Sequence, residues 1–237
     1  RKAWPRLHAG DAEPWPSDAA VVKAWIAFHA GDFESATRQG LAAGPPGYAA
    51  ANKASCIHAT YLEHSQPHKH QRLREVAERC EQQQEAEPGN PAAWYWHAYA
   101  LGRYSQDVSV IKALAEGIGS QVKDSLETTL GLAPRHADAH TALGVYHAEV
   151  ISKVGSLIGG LTYGASAERA IRHFREALAL NPDSAIARVE YANGLIMLEG
   201  RSKAAEAAAL RREAAAMTPH DAMERLDIEL ARHALEE

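Results

Sequence analysis

Apolar side chains recur three and four residues apart from Ala137 to Ala185. Leu143 and Gly144 share one helical turn, and Ala170, Phe174 and Ala177 follow at the same kind of interval. That spacing marks the buried stripe of an amphipathic helix, and Pro182 stops the second of the two helices it predicts. Two such helices make a hairpin with one apolar face, which a lone hairpin cannot bury. Neighbours of the same kind are present. Earlier helical stretches end at Pro88 and Pro134, so the closing prolines fall at intervals of 46 and 48 residues. The pattern predicts an all-α array of stacked hairpins.

Leu143, Gly144, Ala170, Phe174, Ala177 and Pro182 stand where the tetratricopeptide repeat has its corresponding residues, and His140 and His147 take the remaining two of the eight places. Trp94 holds the Trp place of the preceding unit, and AGDFESA at Ala30 to Ala36 reads like the inter-helix turn. The segment therefore resembles a divergent tetratricopeptide repeat. The resemblance implies a right-handed superhelical solenoid of about five hairpins in a single domain with a C-terminal capping helix.

In chain order the expected parts are a leading cap over 1–16, hairpins over 17–46, 47–88, 90–134, 137–182 and 184–219, and a capping helix over 220–237. AWPRLHAGD in the cap recurs as AWIAFHAGD in the first hairpin, two short related helices each closed by glycine. Ser17 or Asp18 is the expected N-cap of a helix over 19–30, and Asp221 that of the last helix. A polar outer face on that last helix is what an array needs in order to stop stacking.

The third and fourth hairpins carry insertions between their helices. In the third, SQDVSVIKALAEGIGSQ precedes a second helix over 122–132. In the fourth, roughly fourteen residues include ISKVGSLIGGLTYG, where Val150, Ile151, Val154, Leu157, Ile158 and Leu161 form one predicted stripe. Gly155 and Gly159 read either as close helix contacts or as breaks. The insertions lengthen their helices or add short ones and pack together, and, compatibly with that, present Val154, Leu157, Ile158, Leu161 and Tyr163 as a partner surface or cavity wall. Inserts of this kind followed by ALALNPDS are similar to the helical-repeat proteins related to the T component of bacterial tripartite periplasmic transporters, and to microtubule-dynamics regulators. His147 to Val150, Gly155, Tyr163, Gly164 and Ala170 to Pro182 carry that likeness, which implies an interaction or accessory role.

Thirty acidic against twenty-five basic residues give a net charge of -5, a field that repels polyanions, so no nucleic-acid partner is expected. No run of about 18 apolar residues is present to span a bilayer. No secretory leader is visible in the sequence, which starts at Arg1. Cytoplasmic placement is expected, or periplasmic if a leader has been trimmed. Cys56 and Cys80, two in all, exclude a disulfide-built fold. Two helices turning near Pro67 would hold their sulfurs at similar distances from the turn, as reduced core thiols or as a pair.

Thirteen histidines raise metal binding. His64, His68 and His70 cluster, and His136 and His140 lie one turn apart. No third ligand at defined spacing completes either set, so no metal is expected. GSLIGGLT at Gly155 to Thr162 lacks the lysine and the preceding strand of a phosphate loop. No catalytic set and no cofactor are assigned.

In the repeat family the first helix of each hairpin lines the concave groove. That implies groove positions at Tyr95 and Tyr99, Thr141 and Val145, and Val189 and Asn193. Tyrosine suits such a surface because it offers area and a hydroxyl at little entropic cost. Asn193 and Asn52 match the asparagines with which some members grip a terminal carboxylate, but the sequence shows no basic partners for them. The expected function is a non-catalytic scaffold binding a protein or peptide in the groove. The alternative is a transport-accessory or oligomeric ligand-binding protein that uses the inserts of hairpins three and four, and assembly into a homo-oligomer is left open with it.

Overall fold

The computed structural model describes residues 1–108, 113 and 116–236, and every regular element among them is helical. We number the α-helices α1 (Trp4–Leu7), α2 (Ala19–Ala30), α3 (Phe33–Ala42), α4 (Tyr48–Tyr61), α5 (Gln66–Ala86), α6 (Pro91–Gln106), α7 (Ile118–Leu132), α8 (Ala137–Tyr163), α9 (Ala167–Leu180), α10 (Ala185–Glu199), α11 (Ala204–Ala215) and α12 (Ala222–His233). The pairs α2/α3, α4/α5, α6/α7, α8/α9 and α10/α11 are the expected hairpins. Among the described residues no helix is long and apolar enough to cross a membrane.

Helix starts follow local chemistry. The Asp18 carboxylate accepts from the Ala20 amide, Asn90 from that of Ala92 and Ser184 from that of Ala187, each satisfying an orphan donor. Gly31 stops α2 in the left-handed region at φ 91. Two boundaries differ from expectation. α5 opens at Gln66, before Pro67, because proline lacks only an amide hydrogen that the first helical turn leaves unpaired anyway. α7 opens at Ile118, four residues before the predicted start, behind Gly117 at φ 64. Residues 109–112, 114 and 115 of the third insertion lie outside the described residues.

The chain forms two compact units. Unit 1 comprises Glu13–Pro134 with Arg1 and Asp221–Met223; unit 2 comprises Lys2–Ala12, Arg135–His220 and the residues from Glu224 onward. In unit 1 the first helices α2, α4 and α6 pack in a row, and each also meets its hairpin partner. Val21, Trp25 and Phe28 of α2 are buried there, and Phe28 meets Phe33 edge to face at 5.3 Å. The Asp221 carboxylate, just ahead of α12, lies 2.7 Å from His29 Nδ1.

In unit 2, α8 packs on both α9 and α10. Phe174 of α9 sits between them with no exposed surface, joined by Ala148, Ala170, Tyr191 and Leu195. Its ring stacks on Tyr191 at 5.2 Å between centroids. Two glycines admit it: a Cβ at Gly144 of α8 would lie 2.7 Å from the ring, and one at Gly194 of α10 would lie 2.5 Å from it. Ile228 and Ala231 of α12 bury themselves against Ala185, Val189 and Ala214, so the last helix covers the final hairpin as expected of a cap.

Gly194→Ala should lower unfolding stability by about 1–3 kcal/mol from overpacking, more than the roughly 1 kcal/mol of helix propensity it gains. Gly160→Ala, whose nearest contact would be an ordinary 3.7 Å, should instead be neutral or stabilising. Urea denaturation of the two variants checks the opposite signs.

Candidate functional site

The six groove positions are largely engaged within the chain. Tyr95 is 5 % exposed and meets Trp96 edge-on at 4.8 Å. Tyr99 is half-buried, its hydroxyl 3.2 Å from that of Thr60 and its ring under the Arg103 guanidinium at 5.3 Å. Burial pushes its phenol above the ordinary tyrosine value. Thr141 is buried and donates to the Ala137 carbonyl. Val145 packs half-buried against the Phe174 cluster, and Val189 is 2 % exposed beneath α12. Asn193 is half-buried and accepts from Arg211 at 2.9 Å.

Basic partners for the asparagines do exist. Arg211 reaches Asn193 from α11, and Arg79 reaches Asn52 from α5. Sequence pattern missed both because each arginine comes from the other helix of the hairpin, where no fixed spacing announces it. A third cation was missed outright. Lys53 of α4 is 3 % exposed, and its ammonium lies 5.2 Å from the Phe28 centroid, 5.9 Å from Trp25 and 6.0 Å from Trp96. Ring faces attract a desolvated cation. The available signal was a lysine inside the small-residue run AAANKASC.

The fourth insertion lengthens α8, but not as one straight stripe. Gly155 takes φ 80 and ψ 160, outside helical values, a conformation that a side chain disfavours. Beyond that break the chain turns back on itself. Gly159 is buried where a Cβ would meet Ile151 at 3.0 Å and Val150 at 3.3 Å, and its carbonyl accepts from the Ala165 amide. One glycine is thus a break and the other a close contact. The predicted stripe splits accordingly. Val150 and Ile151 face the returning segment, Val154 and Tyr163 are half-buried, and Leu157, Ile158 and Leu161 are 73 %, 54 % and 82 % exposed.

Several histidines are held by the protein itself. His136 caps α8 by accepting the Ala139 amide at Nδ1, and His140 Nδ1 lies 2.9 Å from His173 Nδ1, so the expected one-turn pair is drawn to different partners. His147 stacks on His173 at 5.7 Å. His97 bridges Ser125 and Glu81, and burial pushes it below the ordinary histidine value despite that carboxylate. His70 lies 3.6 Å from Asp107, which Lys69 also reaches. Among the described residues no group of three His, Cys, Asp or Glu is placed to hold a metal. Cys56 and Cys80 are buried free thiols. Burial raises Cys56 well above the ordinary thiol range and Cys80 to about 12, which makes both poor nucleophiles. The Asn52 amide donates to the Cys80 sulfur.

Residues 49–235 match the model of a family described as Regulator of microtubule dynamics protein 1-3. Among solved structures, a thermophilic TPR protein of Thermus thermophilus aligns with a TM-score of 0.57 at 16 % identity, covering 90 % of this chain and 97 % of that one. At that identity the likeness shows the tetratricopeptide-type fold. No curated protein matches the chain.

Burial, then His140, then Arg172 and Arg169 push His173 down to about 4, below the ordinary histidine value near 6.5. The unfolded chain therefore takes up this proton first as pH falls. The contribution of neutral His173 is complete above about pH 6.5 and is lost as pH drops toward 4. The fall in urea midpoint between about pH 7 and pH 4.5 should be smaller in His173→Gln than in the unaltered chain.

Proposed function

The chain belongs to the regulator of microtubule dynamics protein 1-3 family, and from that premise we propose that it is a non-catalytic interaction module that captures a protein partner. The outward face of the fourth insertion carries this reading. Leu157, Ile158 and Leu161 stand in solvent, and no ionisable side chain other than the Tyr163 phenol occurs from Val154 to Ala167. Water around contiguous apolar side chains is costly, and covering them with a complementary apolar surface recovers about 25 cal/mol per Å². The Gly155 break turns these side chains outward. The family name makes polymerised tubulin the first partner to test.

A second reading has its own support. Tyr99 and Asn193 are half-buried, and each lies beside an arginine, Arg103 and Arg211. An aromatic or amide group next to a guanidinium suits a peptide carboxylate, so each unit offers a contact for an acidic or C-terminal segment.

Leu157→Glu combined with Leu161→Glu should leave the urea midpoint unchanged, because both side chains are exposed, and should reduce partner capture at least tenfold. Co-sedimentation with polymerised tubulin and pull-down from native extract, each run beside Tyr99→Ala, check this. Unchanged capture by the double variant would remove the insert from the interface. Loss confined to Tyr99→Ala would move the contact to the tyrosine side.

A further inference from the structure

Beyond the Gly155 break, the last part of α8 is a short helical stretch whose apolar side chains project rather than lie flush. Leu157, Ile158 and Leu161 follow at i, i+1 and i+4, so they share one side of it, and each is more than half exposed. The stretch is braced from behind. The Tyr146 hydroxyl donates to the Tyr163 carbonyl at 3.4 Å, the Ala165 amide to the Gly159 carbonyl at 2.9 Å, and the Arg169 guanidinium to the Gly164 carbonyl at 3.0 Å. Side chains carried on a braced element lose little freedom on binding, so more of their burial appears as affinity.

Charge narrows what this knob can meet. Between Lys153 and Glu168 the sole ionisable group is the Tyr163 phenol, on a half-buried residue, and Lys153 itself is paired with Glu149 at 3.0 Å. A charged group of a partner would be stripped of water here without a counter-ion, so the complementary surface is uncharged. A bilayer suits the knob poorly. Helices that rest on one set Lys or Arg beside Trp, Phe and Leu, and residues 154–167 contain no Lys, Arg, Trp or Phe. A second copy of this chain suits it no better, because two convex knobs do not enclose one another. The cavity of about 330 Å³ along α5 is lined by Pro67, His70, Gln71, Arg74, Glu75 and Glu78, a polar seat.

We propose that the fourth insertion is a preformed helical plug for an uncharged apolar groove on the protein partner, with Leu157, Ile158 and Leu161 as the side chains that enter it. Amphipathic helices seat residues at i and i+4 in shaped depressions in this way. The proposal rests on the reading that the insert face captures the partner, and it adds which chemistry the partner presents and that shape decides the fit. Salt has little to screen in such a contact. A side chain larger than the groove admits is refused even when it is apolar.

The probe is polymerised tubulin, co-sedimented with the full chain. Capture should change by less than about twofold between roughly 50 and roughly 300 mM salt. Leu161→Trp, which keeps a mostly exposed position apolar, should weaken capture about tenfold and leave the urea midpoint unchanged. The double variant Leu157→Glu with Leu161→Glu, measured alongside, separates the two claims. If it is captured as well as the unaltered chain, the reading of the insert face fails and the plug fails with it. If it loses capture, yet capture of the unaltered chain falls roughly tenfold with salt or Leu161→Trp is captured undiminished, the insert is the contact and the plug in a groove is overturned. Failure of tubulin to capture the unaltered chain would also overturn it. So would co-sedimentation of the unaltered chain with neutral phosphatidylcholine vesicles that the double variant abolishes, which would assign the insert to a bilayer.

Discussion

Unit 2 depends on one aromatic ring held between two backbones. Phe174 leaves α9 and fills the space between α8 and α10, and it fits because Gly144 and Gly194 present no side chain where its edges arrive. Burying a phenylalanine contributes a few kcal/mol, but the arrangement matters as much as the area. The ring fixes how close the two first helices come and stacks on Tyr191 as it does so. A second helix thereby becomes the spacer between its own first helix and the next, which is how a hairpin that cannot bury its face alone acquires a neighbour.

The positions that build this contact are those whose spacing was legible beforehand. Gly144, Ala170, Phe174 and Ala177 were readable because helix packing leaves a periodic trace, and Asp18 because N-caps use few residue types. The groove was less legible. Tyr95, Thr141 and Val189 recur at the right interval, yet they are buried, since periodicity reports which face a residue occupies and not what covers it. Val189 lies beneath α12, a helix more than thirty residues further along. Arg79 and Arg211 escaped because a cation's partner across a hairpin leaves no fixed spacing, and Lys53 because its rings stand on the first helices of the neighbouring hairpins. Glycine in the insert could be read two ways, and each way applies once, with Gly155 as the break and Gly159 as the close contact.

The proposed function rests on where the repeat departs from regularity. A hairpin with a short turn would bury its apolar stripe completely, whereas the longer fourth hairpin turns part of the stripe inward on Val150 and Ile151 and leaves Leu157, Ile158 and Leu161 in water. The two likenesses suggested by the inserts are separated by the family match, which lies with the microtubule-dynamics regulators over residues 49–235. The histidines follow a similar logic. His140 and His147, which take two of the repeat's eight places, both pack their rings on His173.

The wedge itself can be tested by a double-mutant cycle between Phe174→Leu and Gly194→Ala, read by urea denaturation. If the ring and the missing Cβ share one space, trimming the ring relieves the clash, and the double variant is more stable than the sum of the single losses by about 1 kcal/mol or more. Losses that add to within about 0.5 kcal/mol would mean that ring and glycine act independently, and would contradict the role given to Phe174.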